Sequence, residues 1–323
     1  MSKTRFPKTI ALELSSACTY KCNYCDRRNW KNLGLDRTSK HMQYNLFKKI
    51  IDEIVSSEQE ISLTLNYEGE SLLNPEISTM LNYCKDQGLR PWISTRLYPA
   101  SNDLIEKLLK SCSTISVSLD LSSSLNDIEY KELYRESEQH RNLDLLLDLN
   151  RSYQVEIIVT TVLEAGDAIE TPRVKDFITR WIDRVHYIYL FQEIDFKKDS
   201  MGYINDQKIG MHLKRRRPCM QPFSYLAVLS DGRISPCCNS SRVYLHNIDA
   251  LFPLDRLVID SEFAKFQKRH ADMDLDGTGC EHCSLWIDDW LGDEETIFEL
   301  NDGRHITAYL EGSTIRIVGS RGD

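Results

Sequence analysis

No apolar run in the sequence approaches the length of a bilayer-spanning helix. A secretory signal is lacking as well. The early apolar stretch Thr9-Ile10-Ala11-Leu12 is cut by Glu13, too short for a signal peptide, and it reads as a buried strand. A cytoplasmic, reducing location is therefore expected, with no membrane partner and thiols that stay free. Positive charge is also in short supply: 40 Lys and Arg against 49 Asp and Glu leave a formal charge of −9, which argues against nucleic acid as the main partner. The one dense cationic run, Lys214-Arg215-Arg216-Arg217, reads as a solvated linker or as a contact to an anion. Internal repeats and low-complexity tracts are absent, and nothing ahead of the first strand reads as a peptide-recognition extension.

What is present suits a large domain joined to a smaller one: 323 residues, 41% hydrophobic and 28% charged. Short β-rich runs at 9–14, 61–66, 91–95, 114–119, 155–161 and 185–191 alternate with amphipathic helical patterns. That alternation predicts an α/β fold with a parallel sheet over residues 1–195, either open or curled into a partial (β/α)6 TIM-like barrel, with functional loops at the C-terminal ends of the strands. Residues 196–218 read as a polar linker. Residues 219–295 form the expected small α+β cluster-binding domain, with a hairpin turning at Ser230-Asp231-Gly232 and a helix over 261–271. Alternation resumes over 296–323, an antiparallel meander or tail.

Ten cysteines in a reduced chain point to metal ligation. Cys84 and Cys112 sit in apolar helical contexts and read as packing residues. Cys18, Cys22 and Cys25 crowd into eight residues directly after the first strand, spaced C-x3-C-x2-C. Three thiolates on one loop suit three irons of a [4Fe–4S] cube and leave the fourth open to a chelating ligand. Cys219, Cys237, Cys280 and Cys283 form a second group that fits either a closed cube or a four-cysteine zinc site. His282 lies between two of these thiols, as an alternative ligand or an exposed bystander. Cys238 is a spare thiol beside Cys237.

The C-x3-C-x2-C run, with Tyr24 just before its third cysteine, resembles the signature of the radical S-adenosylmethionine (SAM) superfamily. The resemblance extends over nearly all of the first 190 residues. Asn66-Tyr67-Glu68-Gly69-Glu70-Ser71 is similar to the family's Gly-Gly-Glu-Pro stretch, with Glu68 in place of the first glycine and Ser71 in place of the proline. Ser116-Val117-Ser118-Leu119-Asp120 is similar to its Ser-Leu-Asp strand ending, and Ser94-Thr95-Arg96-Leu97 stands where relatives have Thr-Asn-Gly. The resemblance implies SAM contacts from Tyr24, Glu68, Gly69, Glu70, Thr95, Ser118 and Asp120. Arg96 brings a cation to that region, for an anionic group or for solvent. Thr160, Gln192 and Glu193 follow strands as further pocket candidates.

The second cysteine group resembles the twitch domain, a trimmed SPASM domain; a full SPASM domain needs more thiols than remain here. Its spacing resembles that of 2-deoxy-scyllo-inosamine dehydrogenase. With that resemblance, the iron–sulfur reading leads over zinc and implies two [4Fe–4S] clusters, one binding SAM and one auxiliary. The implied activity is reductive cleavage of SAM to a 5′-deoxyadenosyl radical that takes hydrogen from a substrate C–H bond. Electron loss to the auxiliary cluster would complete an oxidation. Hydrogen return from Cys238, the candidate catalytic thiol, would complete an epimerisation. The expected substrate is a small amino or polyhydroxy compound or, as the alternative, a ribosomal peptide. A flavodoxin or ferredoxin is the implied reductant, and an electron carrier without turnover is the reading from another class.

Overall fold

Six strands alternate with helices along the first part of the chain, in the order its β-rich and amphipathic runs imply. The structure is a computed structural model describing residues 7–20, 22, 24–25, 27, 40–121, 138–195, 202–203, 216–238, 245, 262–286, 293–311 and 314–319. Its elements are β1 (Thr9–Leu12), α1 (Tyr44–Ser56), β2 (Ser62–Thr64), a 3-10 turn (Ser71–Leu73), α2 (Ile77–Asp86), β3 (Trp92–Thr95), α3 (Asn102–Ser111), β4 (Thr114–Ser118), α4 (Glu138–Asn150), β5 (Glu156–Leu163), α5 (Pro172–Trp181) and β6 (Tyr187–Gln192). A short ribbon, β7 (Ile194–Asp195) with β8 (Gly202–Tyr203), precedes α6 (Gln221–Ser224), β9 (Tyr225–Val228), β10 (Ile234–Ser235) and α7 (Glu262–Ala271). Strands β11 (Asp293–Glu299), β12 (His305–Glu311) and β13 (Thr314–Val318) complete the chain. The fold class is α/β, a mostly parallel, unclosed sheet of the partial TIM-barrel kind.

Two compact units divide these elements. The first comprises Met1–Ile93, Phe196–Met201 and Arg215–Trp286. Its sheet is built on β1, whose Ile10, Ala11 and Leu12 are fully buried. β1 pairs in parallel with β2 on one side and with β9 on the other, Thr9 opposite Tyr225 and Leu12 opposite Val228. Helix α1 covers the sheet with Phe47, Ile50, Ile51 and Ile54, the i, i+3, i+4, i+7 stripe of a helix with one apolar face. The β9–β10 hairpin turns as its Asp-Gly pair implies: Gly232 N–H donates to Leu229 O, and Gly232 takes φ +85, a left-handed conformation glycine adopts without penalty. Residues 221–224 form a helical turn, with Pro222 in its first turn, so the hairpin strand starts at Tyr225 rather than at Phe223.

Beneath the hairpin lies a buried carboxylate. Glu13 is 1% exposed, and its Oε2 accepts from the backbone N–H (3.0 Å) and the hydroxyl (2.8 Å) of Ser230. It ties the end of β1 to a residue 217 positions later.

The second unit comprises Ser94–Asp195, Gly202–Lys214 and Ile287–Asp323. β4, β5 and β6 are parallel, and β13 then pairs antiparallel with β6, Ile317 opposite Ile188, followed by β12 and β11. The meander is antiparallel as expected, but it begins at Asp293 and is seated on an edge. β6 would otherwise present unpaired backbone groups, and β13 satisfies them. Arg316 of β13 lies over the rings of Tyr187 and Tyr309 at 5.7 and 4.6 Å from their centroids.

Candidate metal and cofactor site

The first cysteine loop leaves the sheet at the C-terminal end of β1. Backbone bonds from Glu13 to Val228 O (2.9 Å) and between Ser16 and Lys40 O (2.9 Å) hold its approach, and the Ser16 hydroxyl accepts from Lys40 N–H (2.8 Å). Cys18, Cys22 and Cys25 are all half-buried, as is Tyr24. A turn brings two of the thiols together, Cys25 N–H donating to Cys22 O at 3.2 Å. Burial, first, and the neighbouring Cys22 and Cys18 push the Cys25 thiol up to about 11, while the backbone N–H and charge of Arg27 oppose the rise.

Among the described residues, no three His, Cys, Asp or Glu side chains converge on a point suited to one metal ion. The thiolates of a cube each bind a different iron, so they stand further apart than donors around a single ion. A [4Fe–4S] cluster fits these residues. It would supply the positive charge that half-buried, mutually repelling thiolates lack, and soft sulfur donors would select it.

The Asn66–Pro75 loop is fastened against this segment. Gly69 approaches the backbone so closely that a Cβ there would stand 1.9 Å from Ser15 O and 2.7 Å from Ser16 Cα. Glu70 N–H donates to Ala17 O at 2.8 Å, one residue before Cys18. The Glu70 carboxylate is buried and caps the following 3-10 turn through Leu72 N–H at 3.1 Å. Ser71, which stands in place of the family proline, closes the loop by donating to Leu65 O at 2.7 Å. Asn74 donates to both Leu14 O (2.7 Å) and Met42 O (3.0 Å). Glu68 is half-buried beside Gly69.

In the second unit, buried Thr95 accepts from Leu97 N–H at 2.8 Å. The hydroxyls of Ser118, at the C-terminal end of β4, and Thr160, midway along β5, meet at 3.1 Å. Arg96 is 9% exposed rather than solvated, and its guanidinium grips Asp120 with two parallel bonds of 2.7 and 2.6 Å. The exposures are unequal, 10% for the Arg96 side chain and 41% for Asp120. Asp120→Ala strips a buried cation of its bidentate partner and is expected to cost about 3 kcal/mol, whereas Arg96→Met leaves a carboxylate that water can reach and costs about 1 kcal/mol. Urea unfolding of the two variants checks the asymmetry; equal losses would contradict it.

The second cysteine group lies in the first unit. Burial, first, pushes Cys280 up to about 12 and Cys283 up to about 11, and Cys237 adds to both. These three therefore stand within electrostatic reach of one another. Cys283 N–H donates to Cys280 O at 3.2 Å, the same turn as in the first loop. Cys219 is half-buried, and Cys238 is exposed with its thiol donating to Gln221 Oε1 at 3.5 Å. Cys84 and Cys112 are fully buried packing residues, as expected.

Two residues of this region escaped the sequence reading. Arg216, part of the basic run, donates to the carbonyls of Cys280 and Glu281 (2.7 Å each) and lies over the Trp286 ring, so it clamps the cysteine turn. Tyr67 sends its hydroxyl to Ser235 Oγ (3.0 Å) and Cys237 O (3.1 Å). A run of four cations gave no sign that its third member was packed against a turn 64 residues away. Lys214 and Arg215 lie outside the described residues.

The raised thiols make the metal-free chain sensitive to alkali. An acid whose folded-state pKa lies above its ordinary 9.0 contributes stability below that value and loses it as pH climbs toward 11–12. The melting temperature of metal-free protein is therefore expected to fall from about pH 9 toward pH 11, and metal loading, which replaces these protons, to blunt the fall. A flat profile for the metal-free chain would contradict the assignment.

No family model and no curated protein matches the chain. Solved structures do. BtrN in complex with AdoMet and 2-DOIA is 13% identical over 85% of this chain and 91% of its own, with a TM-score of 0.52. Streptococcus suis SuiB bound to S-adenosylmethionine is 14% identical over 81% of this chain and 68% of its own, at 0.59. Native anSMEcpe with bound AdoMet is 13% identical over 81% of this chain and 84% of its own, at 0.58. The chain therefore has the fold of the radical SAM enzymes, whose signature its first cysteine loop resembles.

Proposed function

We propose that the chain is a radical SAM enzyme that oxidises or epimerises a small amino or polyhydroxy compound of the aminoglycoside type. The observation that carries the reading is the loop of Cys18, Cys22 and Cys25 at the end of β1, with the Glu68–Glu70 loop pinned against its approach. When bound there, a [4Fe–4S] cluster supplies the electron that cleaves SAM to a 5′-deoxyadenosyl radical, which takes hydrogen from a substrate C–H bond. Cys18, Cys22 and Cys25 hold that cluster; Glu68, Gly69 and Glu70 orient the SAM amino group, and Tyr24 lies against the adenine. Cys219, Cys237, Cys280 and Cys283 hold an auxiliary cluster, with Arg216 bracing the last two. A cytoplasmic flavodoxin or ferredoxin serves as reductant.

The small-substrate reading is supported by the second-group cysteine spacing and by the likeness to BtrN, whose structure holds 2-DOIA. A peptide substrate is the second reading, favoured by the likeness to anSMEcpe with bound AdoMet and Cp18Cys peptide, at a TM-score of 0.56 and 12% identity. An amino-cyclitol deuterated at its carbinol carbons tests the first. Deuterium appearing in 5′-deoxyadenosine supports it; transfer only from a Cα-deuterated peptide overturns it in favour of the second. Exposed Cys238 is the hydrogen donor in the epimerase version. In deuterated water, Cys238→Ala is then expected to lose solvent deuterium from the product, and unchanged incorporation would remove that role.

A further inference from the structure

The two cysteine groups of the first unit are joined by a short path of direct contacts, and Tyr67 is its middle. At one end, Ala17 next to Cys18 receives the Glu70 N–H, and Gly69 is packed on Ser15. Three residues back from Glu70, the Tyr67 hydroxyl reaches Ser235 Oγ and Cys237 O at 3.0 and 3.1 Å. Ser235, fully buried on β10, donates in turn to Cys237 O at 3.2 Å. The phenol has one proton to give, so the three oxygens form a ring in which Tyr67 and Ser235 together hold the Cys237 carbonyl. A phenol keeps its proton at neutral pH, so Tyr67 serves as a donor in this ring. Neither cysteine motif contains Tyr67, and 170 residues separate it from the carbonyl it holds.

We propose that Tyr67 is a positioning residue that couples the two centres, so that filling the Cys237 site tightens SAM binding at the loop of Cys18, Cys22 and Cys25. The inference rests on the function proposed above. Metal at Cys237 fixes the carbonyl, Tyr67 passes that order to the Glu68–Glu70 loop, and a loop already ordered binds its ligand with less loss of freedom. Linkage makes the effect reciprocal: bound SAM holds metal more firmly at the second site.

The test is a cycle of SAM-binding measurements on anaerobically reconstituted protein, by equilibrium dialysis with labelled SAM. Four proteins are compared: wild type, Cys280→Ala/Cys283→Ala, Tyr67→Phe, and all three substitutions combined. Loss of the second centre is expected to weaken SAM binding about tenfold in the wild-type background and not at all in the Tyr67→Phe background. Equal weakening in both backgrounds, or none in the wild type, would overturn the coupling. Ser235→Ala opens the same ring and replaces Tyr67→Phe if that variant does not fold. Failure of wild type to bind SAM at all would sink the functional reading instead. Alkylation of metal-free protein then decides the part of Tyr67: Cys237 is expected to react about fivefold faster in Tyr67→Phe, with Cys238 unchanged. Equal Cys237 rates would overturn it.

Discussion

Cys22→Ala is expected to reduce SAM cleavage to the level of reagents without protein, while leaving the second centre filled. The loop offers three thiolates to a cube that keeps one iron open, so losing one thiolate removes a third of its protein ligands. Iron should fall from about eight per chain to about four, with the remaining four held by the other group. The converse substitution separates the two roles. Cys280→Ala/Cys283→Ala should also fall to about four irons, yet still release 5′-deoxyadenosine, because the SAM-binding cube is intact. Equal loss of SAM cleavage in both variants would show that the groups do not divide the work. About four irons plus one zinc in the wild type would assign the second group to a zinc ribbon.

Gly69→Ala carries the second large effect. A methyl group there would sit 1.9 Å from Ser15 O and 2.8 Å from Ser15 C, both backbone atoms that no side-chain rotation can clear. Relief requires lifting the loop from the strand end, which breaks the Glu70–Ala17 bond and disturbs the Asn74 contacts to Leu14 and Met42. The expected loss is about 3 kcal/mol in global stability, at the upper end for overpacking, with SAM affinity falling even where the protein is kept folded by low temperature. Ser71→Ala tests the same loop more gently, since it removes one buried hydrogen bond to Leu65 O and should cost about 1–2 kcal/mol. If Gly69→Ala melts with the wild type, the close approach is not real.

The six strands were legible because each is a short β-rich run bounded by a helical pattern, and the period changes cleanly from two to 3.6. The first cysteine loop was legible because its donors are local, within eight residues. The contacts that organise the site are not local, and pattern alone did not reveal them. Glu13 looked like a flaw in an apolar run and is a buried tie to Ser230. Arg96 looked like a charge facing solvent or an anion, and it grips Asp120. The tail read as a meander on its own, whereas β13 seats it on β6, since alternation shows that a strand exists and not which edge it joins. Tyr67 lay inside a stretch already singled out, but its partner depends on the register of a hairpin 168 residues away.

Anaerobic reconstitution with iron and sulfide, followed by SAM and dithionite, tests the central claim most directly. The account predicts 5′-deoxyadenosine and methionine in equal amounts, dependent on Cys18, Cys22 and Cys25 together. Fully loaded clusters that leave SAM intact would contradict it.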